Sequence, residues 1–436
     1  MAKTAAPRRP EPLAATDRTP VRGAARGAWL GQWNSAVTSY YLLGGATILL
    51  LVLGLVMVLS SSSVDSLQDG DSAYSVFLNQ AKFALIGLPF MLVAMRLRPA
   101  FYKKVAWPAL VVAMGLQLLI FSPLGVGKMG NTNWVSLGPG LTIQPSELAK
   151  VALAVWLGVV LGRKMALIHD WKHAFIPVLP GSALVIALVL AGKDLGTAMV
   201  LMLILIGALF VAGLPLRMFA VFGVGLVAVV AFLVLDSGNR MARISASFSG
   251  SCDAEGACYQ VMRGLAGLGT GGFTGVGLGA SFEKWSYLPE AHNDFIFAVL
   301  GEELGLLGAL LVLVLFALLG VAMVRIIKRH PDPMVKITTA AIACWIVGQA
   351  LINIGVVIGL VPVIGVPLPL VSAGGSALVA TMLALGIVIS FARDEPGARE
   401  ALAARPSVVR RSVAVVGRVA SARRRPVVTG TDDELG

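Results

Sequence analysis

The residues best placed to do chemistry are the few ionisable ones inside or beside long apolar runs. Glu147 and Lys150, Lys193 and Asp194, Asp294, and Glu302 and Glu303 occupy such positions. Charge at membrane depth is expensive, so these groups are functional candidates by default. Asp294 closes the string Pro289-Glu290-Ala291-His292-Asn293-Asp294, just ahead of an apolar run. A carboxylate there could cap the first helical turn by accepting backbone N–H groups. Its company points further. Arg240, Arg243, Arg263 and Lys284 lie in the same segment, and Arg and Lys bind phosphates well. An acidic group with cations around it suits a reaction on an anionic, phosphate-bearing substrate. His292 joins these candidate binding residues. Glu147 and Lys150 are three apart and share a helix face, as a structural ion pair or as substrate contacts. Glu302 and Glu303 read first as packing and polar-network residues.

The elements that position these residues are membrane spans. The chain has 436 residues, 57% hydrophobic and 13% charged, against roughly 25% charged in soluble domains. The apolar residues form runs near the ~20 residues that cross a bilayer. The expected fold is therefore an all-α integral membrane protein with ten transmembrane helices. The spans are expected near 41–60, 78–96, 106–121, 146–162, 175–192, 195–213, 218–236, 295–323, 337–360 and 376–392. Residues 1–40 and 393–436 read as disordered basic tails around a 41–392 helical domain.

Loop charge sets the orientation. With both tails cytoplasmic, most of the 35 Lys and Arg residues fall on the cytoplasmic side, as the positive-inside rule requires. The net charge of +12 is then a topological signal and gives no reason to expect nucleic acid. The long extracellular loop 237–294, between helices 7 and 8, holds Asp294. It also holds Cys252 and Cys258, whose exterior location favours a disulfide; metal binding by the pair is a poor second. Gly267, Gly269 and Gly272 match a dinucleotide fingerprint, but no strand precedes them and the loop faces outside. The basic run Arg423, Arg424, Arg425 reads as a solvated tail that can touch anionic membrane lipid.

Four stretches carry a resemblance to a known family. They are Asn133-Trp134 through Gln144-Pro145-Ser146-Glu147-Leu148-Ala149-Lys150; Lys193-Asp194-Leu195-Gly196-Thr197; Tyr259 through Lys284-Trp285 and Pro289–Asp294 to Gly301-Glu302-Glu303-Leu304-Gly305; and Asn353-Ile354-Gly355 through Pro367-Leu368-Pro369 to Ser372-Ala373-Gly374-Gly375-Ser376. This order of motifs, from about 40 to 392, resembles the SEDS proteins of shape, elongation, division and sporulation, and their division branch more than their elongation branch. Lys193, Asn293 and Ala373 stand where the family more often has Pro, Thr and Tyr.

The resemblance implies a peptidoglycan glycosyltransferase. It would polymerise lipid II, a disaccharide-pentapeptide on undecaprenyl pyrophosphate, at the outer membrane face during septal wall synthesis. It also implies a class B penicillin-binding transpeptidase and other division proteins as partners. Asp294 matches the family's essential acidic position and Asp194 a second one. Asp294 is then the expected general base. Arg243, Arg263, Lys284 and Lys150 are the expected diphosphate contacts. A divalent cation, Mg or Mn, is an option that no ligand cluster demands. Two other classes share the polytopic build: a lipid II flippase and a non-catalytic division scaffold.

Overall fold

The computed structural model describes residues 35–404 except 36, 69, 129–130, 139–140, 169, 171, 173–175, 222, 226–257 and 286. Arg240, Arg243, Cys252 and the arginines at 423–425 lie outside the described residues. Among those described, eight helices are long and apolar enough to cross a membrane. They are α1 (Thr38–Gln68), α2 (Ser75–Arg96), α3 (Pro99–Leu118), α4 (Pro145–Lys164), α6 (Leu195–Ala212), α8 (Ile296–Arg329), α9 (Pro333–Val357) and α10 (Gly375–Arg393). At the expected fifth span stands the shorter α5 (Val178–Ala191), and at the seventh the apolar helix Leu216–Gly225. Two further helices, α7 (Tyr259–Gly271) and α11 (Ala398–Ala404), are not spans.

Burial follows position in the bundle. α4 is the central helix: nearly every residue from Pro145 to Leu161 is buried, and α3, α6 and α9 pack around it. α1, α2 and α3 instead expose apolar side chains such as Leu49, Leu85 and Val112. Those faces suit hydrocarbon, where water-driven burial offers no gain and association rests on close packing. Gly158 shows how that packing is achieved. A Cβ there would overlap Thr338 of α9, so the missing side chain sets the α4–α9 approach.

Three features depart from a plain helical bundle. A small antiparallel sheet, β1 (Gly125–Lys128), β2 (Asn131–Ser136) and β3 (Thr142–Ile143), fills the connection between α3 and α4. It pairs Val126 with Trp134 and Val135 with Ile143, and Thr132 N–H donates to the Gly192 carbonyl ahead of α6. α1 runs to Gln68, past the expected end at 60. Serines in this extension return their hydroxyls to the helix: Ser62 to the Val58 carbonyl and Ser66 to the Ser62 carbonyl, the i−4 bond open to a Ser within a helix.

The third feature is a break in α8. Gly305 has φ 68° and ψ −165°, outside helical space. The break interrupts the carbonyl ladder, and the loop after α7 completes it. Val276 and Gly277 N–H donate to the Glu302 and Glu303 carbonyls, while Leu306 and Leu307 N–H donate to Gly272 and Phe273. Irregular backbone at membrane depth is tolerated where protein satisfies it in this way.

Both described ends of the chain meet at one end of the bundle. Arg325 donates to the Ser35 carbonyl at 3.5 Å, and Arg329 lies 3.6 Å from Glu395. The helical body also runs past the expected limit at 392, since Glu395 and Ala398 are buried and α11 follows. The tail expected from 393 therefore begins with ordered chain.

Candidate active site

At the end of the bundle opposite the chain ends, residues 361–374 form a non-helical loop that enters the protein interior. A Cβ on Gly54, midway along α1, would collide with the Leu370 carbonyl. Buried irregular backbone needs partners, and amide side chains supply them. Gln80 of α2 donates to the Ser372 carbonyl at 3.1 Å and accepts from Gly374 N–H at 3.0 Å. Gln349 of α9 donates to the Pro367 carbonyl at 2.7 Å and accepts from Trp345 at 2.9 Å. Ser372 Oγ donates to the Asn293 carbonyl and accepts from Leu368 N–H.

Asp294 is held against this loop. Buried Leu288, Ala291 and Phe295 anchor its segment. Buried Asn353 of α9 donates through one nitrogen to the Asp294 carbonyl, 2.7 Å, and to the Val366 carbonyl, 2.8 Å. The Asp294 carboxylate faces Gly365: its Oδ2 is 3.5 Å from where a Cβ would stand. Gly365 adopts φ 75°, so the turn offers bare backbone beside the acid. The N-cap of α8 falls on Phe295, with no side-chain cap bond. Asp294 therefore stands one residue outside the helix, which weighs against capping as its purpose.

Asp194 caps the helix whose first turn touches the same stretch. It is the N-cap of α6: Oδ1 accepts from Thr197 N–H, and Oδ2 accepts from Gln144 Nε2, both at 2.9 Å. Two residues on, a Cβ at Gly196 would lie 3.1 Å from the Ile364 carbonyl. Asp294 and the first turn of α6, which Asp194 caps, thus border one stretch, Ile364–Val366.

The other candidates are paired. Glu147 and Lys150 form a buried ion pair at 2.8 Å, with the ammonium 4.9 Å from the Trp345 ring centre. Lys284 is buried, 3.5 Å from Glu303, and donates to the Gly279 carbonyl. Arg263 meets Glu283 at 2.9 Å and covers the Tyr287 ring. Burial pushes the Glu283 carboxyl above its ordinary range; Arg263 opposes the shift and Glu302 adds to it. Glu302 is fully buried and accepts from Ser281, Thr270, Phe282 N–H and Glu283 N–H. Glu303 accepts from Ser60 of α1. His292 is half-buried, and its carbonyl accepts from Ala373 N–H. Cys258 is buried and disulfide-bonded.

A family model for cell cycle proteins, spanning FtsW, RodA and SpoVE, matches residues 41–396. The chain belongs to this family. Among similar FtsW/RodA/SpoVE proteins is the probable peptidoglycan glycosyltransferase FtsW of Mycobacterium tuberculosis, 39% identical over 380 residues, covering 87% of this chain and 72% of that one. The protein of the same name from a Geobacter species is 35% identical over 354 residues, covering 80% and 96%. Solved structures agree. Thermus thermophilus rod shape determining protein RodA superposes with a TM-score of 0.59 at 26% identity, covering 81% and 97%. A chain of a peptidoglycan synthase complex, described for its coordination of polymerization and crosslinking, gives 0.66 at 27% identity, with the same coverage.

Within this FtsW/RodA/SpoVE chain, sequence reasoning singled out the acids and overlooked the amides that place them. Asn353, Gln349, Gln144 and Gln80 carry no charge, so a search for ionisable groups at membrane depth passes over them. Their signal was available in a weaker form, since an amide inside a span also needs a partner.

Proposed function

We propose that this chain is a peptidoglycan glycosyltransferase that polymerises lipid II at the outer face of the bacterial plasma membrane during septal wall synthesis. The observation that carries the reading is the Asp294 carboxylate set against the Gly365 turn, in a chain whose family relatives bear that activity in their names. The bond formed joins an acceptor sugar hydroxyl to the anomeric carbon of a donor sugar. The bond broken is that carbon's bond to oxygen of the undecaprenyl pyrophosphate. Asp294, as general base, takes the hydroxyl proton, and the departing diphosphate carries away the electron pair. A side chain at position 365 would stand against the carboxylate, and glycine avoids that crowding.

Diphosphate contacts fall to Arg243, Arg263, Lys284 and Lys150. Three of these are already paired with carboxylates, so each would have to exchange that partner for phosphate. Among the described residues no group of three His, Cys, Asp or Glu side chains could hold a metal ion, and no step here is routed through one. A class B penicillin-binding transpeptidase is the working partner in this reading. A Cys252–Cys258 disulfide secures the outer loop, and peptide mass spectrometry without reduction reads the pairing. The direct test is purified protein and transpeptidase given lipid II, with glycan strands resolved on a gel. Protein that is folded and moves lipid II across vesicles, yet never makes glycan, would overturn the proposal in favour of a flippase.

A further inference from the structure

The end of the bundle where both chain ends meet carries a second concentration of charge, unrelated to Asp294. A cavity of about 250 Å³ there is lined by Arg98, Arg393, Arg399 and Leu402. The three guanidinium groups come from separate pieces of chain: the α2–α3 turn, the last residue of α10 and the first turn of α11. No acidic residue is among those lining it. Arg393 donates to the Arg96 carbonyl at 2.8 Å, and Arg399 pairs with Asp394 outside the cavity. Arg98 is exposed, and among the described residues its side chain enters no ion pair or hydrogen bond.

Asp394 offsets Arg399, but Arg98 and Arg393 still bring like charge to one cavity, and an anion offsets their repulsion. The surroundings say which kind. Phe101, on the first turn of α3 three residues after Arg98, is an exposed apolar residue, and Leu402 forms one wall. A freely soluble phosphate has no use for such flanks; a phosphate borne on acyl chains does. The cavity also lies where two spans end, the level of lipid headgroups. Basic pockets between membrane helices take anionic headgroups, and Arg matches phosphate oxygens two at a time.

We propose that this cavity binds the phosphate headgroup of an anionic phospholipid, fastening the α2–α3 turn to the α10–α11 junction. The assignment does not depend on glycosyl transfer, nor on which side of the membrane this end faces. The test is native mass spectrometry of the full purified chain with phosphatidylglycerol, phosphatidylcholine or inorganic phosphate added. Phosphatidylglycerol should remain bound under conditions that strip phosphatidylcholine. Arg98→Gln and, as a second variant, Arg399→Gln should each weaken retention by about tenfold, the worth of one charge-assisted contact. Arg96→Gln makes the same charge change on an exposed residue outside the lining and should change nothing. Equal loss in Arg96→Gln would reduce the effect to general basicity. Undiminished binding in both lining variants, or equal retention of phosphatidylcholine, would remove the site. Displacement by inorganic phosphate at matched concentration would make it a site for soluble phosphate, against the proposal.

Discussion

A single oxygen-for-nitrogen exchange separates the two readings of Asp294. Asp294→Asn keeps the shape and the backbone tie from Asn353, but removes charge and basicity. If Asp294 takes the proton, polymerisation falls by roughly 10²–10⁴-fold. If it only caps α8, turnover stays near normal, because Asn and Asp rank alike as caps. Asn353 permits a second test. Asn353→Ala leaves the Asp294 and Val366 carbonyls without their shared donor. An unsatisfied buried group costs about 1–3 kcal/mol, so the melting temperature in detergent should drop. The rate per folded molecule should drop with it, because the Asp294 segment loses its tie to Gly365. Unchanged kinetics in the folded fraction would show that the tie serves stability alone.

Among the elements, the long spans were legible because a run of about 20 apolar residues has few other uses. The sheet was not, since its strands are two to six residues long and carry little hydropathic contrast. The α8 break was hidden for a different reason. Leu304-Gly305-Leu306-Leu307 reads as uninterrupted apolar helix, and the loop that completes its hydrogen bonds lies some thirty residues upstream. The break therefore makes a prediction whose sign decides it. In an unbroken helix, Gly305→Ala should stabilise by about 1 kcal/mol. At φ 68°, with a Cβ driven into the backbone of Phe273 and Gly275, it should destabilise by at least ~1–3 kcal/mol. Thermal unfolding in detergent distinguishes the two, and a raised midpoint would refute the break.

For the molecule as a whole, loop charge and packing bear on different halves of one question. The ties from Arg325 to Ser35 and from Arg329 to Glu395 put both described ends together. The excess of Lys and Arg in the loops at that end is the ground on which we propose that it is cytoplasmic. A cytoplasm-active reporter fused at residue 20, and another at residue 430, should therefore both work. Activity of either one only outside the cell would break the ten-span arrangement.

The 361–374 loop also carries a consequence for time. Gln80 and the Ser372 carbonyl are 292 positions apart in the chain. A ribosome adding about 5–20 residues per second makes them roughly 15–60 s apart. Through that interval Gln80 has no loop to bond, and from its own synthesis until Gly365 is made the Asp294 carboxylate has no glycine turn beside it. On the proposed reading the acid is made before the turn beside which it works, so a chain still emerging from the ribosome stays inert until residues past Gly365 have been added.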